Sequence, residues 1–297
     1  MATENHPMQG KTCVVTGATS GIGAATAEAL AAMGARVIVV GRNPAKCEAT
    51  VRGIKERTGN PAVEYLVADL SSQLEVRQLA QEILARCPRL DVLVNDAGAI
   101  YSKRMESVDG IELTFALNHL APFLLTNLLF DRLVASAPAR VVTVTSGLHR
   151  QAAIRFDDLE GRKRYSGMRA YGQSKLANVL FTYELARRFD GTGVTATTLS
   201  PGMVATNFGM NNPGLMRAGV RIGNRLVGRT PAQGARTVIY LASSPEVAGV
   251  TGQHFEDERA VPSSNASHDE EAARRLWEIS AKMTELPESA GLPAGNR

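Results

Sequence analysis

The chain has 297 residues, 44% of them hydrophobic and 21% charged, with a formal net charge of +4. That balance describes a soluble globular protein long enough for a substantial core, and a charge this mild gives no reason to expect a nucleic-acid partner. Cys13, Cys47 and Cys87 form an odd set without C-x-x-C spacing, and no histidine pair has ligand spacing, so reduced thiols and no metal are expected.

Residues 1–10 lack the apolar run of a secretory signal. The most apolar stretch, 113–130, is interrupted by Asn118, His119, Pro122 and Asn127, which favours a buried helix over a membrane span. A cytoplasmic protein is the expectation.

In chain order, residues 12–15 read as a buried strand, with β-branched Val14 and Val15 just ahead of a glycine turn. Gly17, Gly21 and Gly23 then give G-x-x-x-G-x-G, followed by an alanine-rich helix to Met33. A backbone turning there from strand into helix turns amide N–H groups and a helix N-terminus outward, an arrangement suited to an anionic pyrophosphate. Taken alone, the trio equally describes a tight turn.

Residues 35–40 form a second strand, and Asn43-Pro44 supplies an N-cap and an N1 proline for a helix to about Thr58. Residues 62–67 make a third strand, Ser72 to Glu75 a capping box for a helix ending before Pro88, and 90–94 a fourth strand. A long helix is expected over about 108–135, kinked or split near Pro122, then a strand over 140–145 and a polar, partly basic insertion over 147–167. Residues 169–189 read as a helix, 194–199 as a strand and 201–229 as glycine-rich and irregular. A capping box from Thr230 to Gln233 opens a helix to about Ala242, and 253–256 is a last strand. Residues 267–270 cap a terminal helix to about Leu286, and a Pro/Gly tail follows over 287–297. This alternation predicts an α/β fold: one Rossmann-type, doubly wound parallel sheet of about seven strands, in a single domain over 10–286.

Tyr171 and Lys175, spaced i, i+4 on a helix, share one face. A phenol near pKa 10 is a poor acid–base group at neutral pH, and a neighbouring ammonium would draw it down. The same spacing also fits a plain amphipathic pair.

Thr16-Gly17-x-x-x-Gly21-Ile22-Gly23, Asp69-Leu70, Asn95-Asp96-Ala97-Gly98, Asn118, Val144-Thr145-Ser146, Tyr171-x-x-x-Lys175 and Pro201-Gly202-x-x-x-Thr206 follow one another in the order of the short-chain dehydrogenase/reductase family. The chain resembles that family from residue 10 to about 260. Tyr165-Ser-Gly-Met168, the run from Tyr171 to Asn178, the residues after Val261 and the long Ser146-to-Tyr171 spacing resemble its retinol dehydrogenase and WW-domain oxidoreductase branch.

The resemblance implies an oxidoreductase for a lipophilic carbonyl/alcohol pair. Tyr171 would move the proton, Lys175 would tune it and hold the nicotinamide ribose, Ser146 would bond the substrate oxygen, and Asn118 would support a water reaching Lys175. It implies cofactor contacts from Gly17, Thr19, Ser20, Gly21, Ile22, Gly23, Arg42, Asn43, Asp69, Leu70, Asn95, Ala97, Gly98, Tyr171, Lys175, Pro201, Gly202 and Thr206, with Asp69 at the adenine. The place after the second strand that carries an acid in NAD-binding folds is Gly41, read as leaving room, and Arg42 follows it. A guanidinium there suits a 2′-phosphate, so NADP(H) is expected over NAD(H), with Lys46 a second candidate cation. Asp96 stands where the family pattern has asparagine, placing an acid near the adenosine ribose.

Residues 207–229 contain no acid, and Arg217, Arg221, Arg225 and Arg229 recur every fourth position among apolar residues. They fit a substrate lid over about 203–229, or a basic helix lying on a membrane surface. His149 and the run Arg162-Lys163-Arg164 read as solvated loop residues, and Trp277 as packing. The apolar helices at 108–135 and 169–189 are candidates for a two-fold dimer interface. A non-catalytic nucleotide sensor on the same fold is the competing function, which the set Asn118, Ser146, Tyr171 and Lys175 argues against.

Overall fold

Runs such as Cys13-Val14-Val15 and Val37-Ile38-Val39-Val40 are buried on both faces, so their strands need helices above and below. A computed structural model, which describes residues 6–202, 204 and 229–287, shows how that cover is provided. Strands β1 (Thr12–Thr16), β2 (Arg36–Gly41), β3 (Val63–Val67), β4 (Val92–Asn95), β5 (Ala139–Val144), β6 (Val194–Leu199), β7 (Gln253–Glu256) and β8 (Arg259–Ala260) form one sheet. Its order is β3-β2-β1-β4-β5-β6-β7-β8. Pairing is parallel throughout except between β7 and the short β8, an eighth strand beyond the seven expected.

Alternation along each strand divides the core. Cys13, Val15, Val37 and Val39 face α1 (Gly21–Ala32), α2 (Pro44–Thr58) and α8 (Pro231–Ser243). Val14, Ile38 and Val40 face α3 (Gln73–Arg86), α5 (Ala121–Leu128) and α7 (Gly167–Arg188). The strand order reverses direction between β1 and β4, which opens a crevice at their carboxyl ends.

Several local expectations take their expected form. Asn43 accepts the Lys46 amide and caps α2, and Thr230 and Gln233 complete a capping box on α8. At α3 the box is half made: Ser72 accepts the Glu75 amide, but the Glu75 carboxylate turns to the Asp69 amide at 2.7 Å. The long helix expected from 108 starts later, at Leu113, and the split expected near Pro122 is present just ahead of that residue. It begins with the turn α4 (Leu113–Phe115), passes through a π-helical turn, Ala116–Leu120, and resumes as α5 and then α6 (Phe130–Ala135). Glu112 causes the late start, because its carboxylate accepts the Thr114 and Phe115 amides and so caps the first turn.

The terminal helix α9 (Glu270–Met283) is capped by Asp269, not by Ser267; Ser267 lies in a preceding 3-10 turn. This helix lies across α5 and α7. Trp277 packs edge-on to Phe123 at 4.9 Å and against Phe181 at 5.7 Å, with the Arg188 guanidinium 4.2 Å from its ring. Phe123 and Phe181, on the two helices considered for a dimer, are therefore covered within the chain. Arg162 and Lys163 are matched to Glu160 and Asp157 at 3.1 and 3.0 Å, which ties that basic run into its own loop.

Candidate active site

The crevice is built by backbone constraint. Gly17 has φ +69°, and a Cβ there would fall 2.8 Å from the Ala97 Cα, so the β1 turn and the β4 end touch main chain to main chain. Thr16 locks them together: its Oγ1 donates to the Val94 carbonyl at 3.2 Å and accepts the Asp96 and Ala97 amides at 3.0 and 3.2 Å. Gly21 has φ +60° and opens α1. Ser20, its N-cap, is exposed and makes no side-chain cap bond, and the first turn carries no acid. The result is a helix N-terminus approachable through a turn lacking Cβ at Gly17, and it fits an anionic diphosphate. Thr19 and Ile22 flank it, and Ile22 lies beside Gly234, the close-contact point of α8.

At the end of β2 one expectation is corrected. Gly41 leaves no room: a Cβ there would meet the Thr19 methyl at 2.4 Å and the Cys47 sulfur at 2.9 Å. An acidic side chain is excluded by packing. Arg42 projects from the next position with 71% of its side chain exposed, 3.8 Å from Asp69 and hydrogen-bonded to Tyr101. The Asn43 side chain is committed to its helix cap, and Lys46 is exposed one turn along. Asp69 accepts the amide and hydroxyl of Ser71, and Leu70 is buried in the core.

Asn95 ties β4 to α5 through Thr126 at 3.2 Å, and its Oδ1 has no hydrogen-bond partner. Gly98 is exposed on the crevice, where a Cβ would meet Asn118 Oδ1 at 3.3 Å and Lys175 Nζ at 3.4 Å. On the far side, Gly202 has φ +76°, and the Pro201 carbonyl accepts from Arg229, which pairs with Asp257. Thr206 and the stretch 205–228, which carries most of the expected lid, lie outside the described residues, as do residues 288–297 of the tail.

Asn118, Ser146, Tyr171 and Lys175 come from three elements and meet at this crevice. Asn118 sits in the π-helical turn, a distortion that often marks function. Its Oδ1 accepts the Ala99 amide, and its Nδ2 donates to the Ala99 carbonyl and the Ser174 hydroxyl. Its own carbonyl accepts from Asn178 at 2.8 Å. Ser146 follows β5, caps the 3-10 turn Gly147–Gln151, and hydrogen-bonds Tyr171. Lys175 is buried and donates to the Val144 carbonyl at 3.0 Å, with Nζ 5.7 Å from the centre of the Tyr171 ring.

Burial dominates the electrostatics. It pushes the Tyr171 phenol well above its ordinary value, with Ser146 pulling it down and Asp96 pushing it up. The expected lowering of that phenol by Lys175 is not what sets its shift: burial does, with Ser146 and Asp96. Burial likewise lowers Lys175 to about 8, against the pull of Asp96.

Some residues are visible only in the tertiary structure. His149 is fully buried, not solvated: its Nδ1 donates to the Ser146 carbonyl at 2.7 Å, and its Nε2 accepts the Ser264 amide at 3.3 Å. Its ring packs 4.9 Å from buried His254, which reaches Ser200 just ahead of Pro201. Ser174 and Asn178 support Asn118; polar residues on a helix buried throughout its middle were the available signal. Among the described residues no cluster suits a metal ion, and no helix is long and apolar enough to cross a membrane.

Comparison with known proteins shows the family. The model of a family described as short chain dehydrogenase matches residues 11–214. Human retinol dehydrogenase 14 is 45% identical over 94% of this chain and 88% of its own length. A crystal structure of a Mycobacterium paratuberculosis protein superposes with TM-score 0.75 at 33% identity, covering 94% of this chain and 95% of that one. A Shigella flexneri short chain dehydrogenase complexed with NADP has TM-score 0.70 at 26% identity, covering 86% and 100%.

Proposed function

This chain belongs to the short chain dehydrogenase family and is an oxidoreductase of the alcohol/carbonyl class; on that premise we propose that it uses NADP(H) to interconvert a lipophilic carbonyl compound and its alcohol. The observation that carries the proposal is the convergence of Ser146, Tyr171, Lys175 and Asn118 on one crevice beside the glycine turn. The relatives named for retinol and the neighbour holding NADP support the substrate class and the cofactor.

When bound, NADP(H) supplies or accepts the hydride. Gly17, Thr19, Ser20, Gly21, Ile22 and Gly23 would hold its diphosphate. Arg42 would hold the 2′-phosphate with Asn43 adjacent, and Asp69 and Leu70 would border the adenine. Asn95, Ala97, Gly98, Lys175, Pro201 and Gly202 would complete the cleft.

The chain's own groups handle the proton. Burial keeps Tyr171 a neutral phenol at pH 7, so it can give its proton to a carbonyl oxygen as that oxygen gains charge. Ser146, already bonded to Tyr171, fixes the same oxygen with a second hydrogen bond. Lys175, held by Val144, places a cation where the phenolate left behind is stabilised. Asn118 braces the 98–99 loop against α7.

The test is NADPH oxidation by a panel of aldehydes, ketones, retinoids and steroids, with wild type and Tyr171→Phe. Losing one acid–base group predicts a fall in turnover of roughly 10²–10⁴-fold with cofactor affinity retained. An unaffected rate would refute the assignment, and cofactor binding without turnover on any substrate would favour the sensor.

A further inference from the structure

Asp96 has no task in the reaction above, yet it lies among the groups that perform it. Its amide donates to Thr16 at 3.0 Å, which ties it, just after β4, to the end of β1. Its carboxyl accepts the Gly23 amide of α1, and Oδ2 lies 2.7 Å from where a Gly23 Cβ would stand. Across the crevice α7 brings two ionisable groups to bear on it, Lys175 and Tyr171. The side chain therefore occupies the same helix N-terminus that would receive the cofactor's diphosphate, and it carries the same sign of charge.

We propose that Asp96 makes cofactor binding proton-linked: dinucleotide binding draws a proton onto this carboxyl, so affinity falls as pH rises through neutrality. The inference rests on the NADP(H) reading above. Two anions sharing one partly desolvated helix end cannot both remain ionised without cost, and the carboxyl is the one that can take up a proton. Burial already raises Asp96 to about 7, with Lys175 and the Gly23 amide opposing. It is thus mostly protonated below that pH and mostly ionised above it. A diphosphate placed nearby raises it further, so the bound state holds more protons than the free state and binding is favoured by acid. Lys175, lowered to about 8, loses its compensating charge just above this range, which steepens the effect. An asparagine, the residue of the family pattern, donates a hydrogen bond without titrating.

The experiment is calorimetric titration of the 297-residue chain with NADPH at pH 6.5, 7.5 and 8.5, each in two buffers of different ionisation enthalpy, for wild type and Asp96→Asn. At pH 7.5 wild type should take up on the order of half a proton more than the variant. From pH 6.5 to 8.5 its affinity should weaken on the order of tenfold more than the variant's. Protons exchanged by the 2′-phosphate are common to both proteins, and repeating the titration with NADH removes them; the uptake that differs belongs to Asp96 together with Lys175, whose protonation the carboxylate supports. Asp96→Ala should abolish the extra uptake as well, which separates charge from shape. Equal proton counts and equal pH slopes in wild type and Asp96→Asn would overturn this inference alone. Absence of binding at every pH would instead overturn the cofactor reading, and this inference with it.

Discussion

Replacing Arg42 by alanine tests cofactor choice directly. The side chain is 71% exposed, its ion pair with Asp69 is 3.8 Å long, and its other recorded contact is Tyr101. An exposed pair of that length contributes about 0–1 kcal/mol, so the fold should be unaffected. A charge-assisted hydrogen bond to a phosphate is worth about 1.5–3 kcal/mol, and exposure to water and salt draws this one toward the lower value. Since about 1.4 kcal/mol is a factor of ten, Arg42→Ala should weaken NADPH binding roughly tenfold. NADH has no 2′-phosphate, and its affinity should not change. Fluorescence titration with each cofactor measures the two constants, and a melting curve checks the fold. If both cofactors weaken by the same factor, or neither does, the guanidinium does not read the phosphate.

Three further perturbations probe other parts of the site. Gly17→Ala forces a left-handed backbone, costing about 1–2 kcal/mol, and adds a clash with the Ala97 main chain; a lowered melting temperature and lost NADPH binding are expected. His149→Ala strips the Ser146 carbonyl and the Ser264 amide of a buried partner, at about 1–3 kcal/mol each, and should lower kcat while leaving NADPH affinity unchanged. Trp277→Ala should cost about 3–5 kcal/mol and lower the melting midpoint by roughly 10 °C, because its contacts with Phe123 and Phe181 hold α9 on the core; a shift of a degree or two would mean that α9 is anchored elsewhere.

Much of the site is legible residue by residue. Gly17 and Gly21 announce a turn with φ above zero, and Tyr171 and Lys175 lie one helical turn apart on α7. Asn43 and Thr230 cap the helices that they precede. These signals are local: steric freedom at one Cα, or a bond spanning three or four residues. His149 shows where they stop. In the chain it precedes Arg150, an exposed residue, and reads as loop, but Ser264, 115 positions later, buries it.

The amino-acid order determined the alternating elements, the sheet they build and the identity of the groups at its carboxyl edge, because periodicity and backbone sterics act within a few residues. Tertiary packing alone decided what those groups experience. Burial raises Tyr171 and lowers Lys175. Thr19 fills the space at Gly41, Gly23 holds Asp96, and Ser280, 161 positions along the chain, bonds His119 beside Asn118. Desolvation and long-range contact depend on which distant segments come together, and no short window of sequence contains both partners.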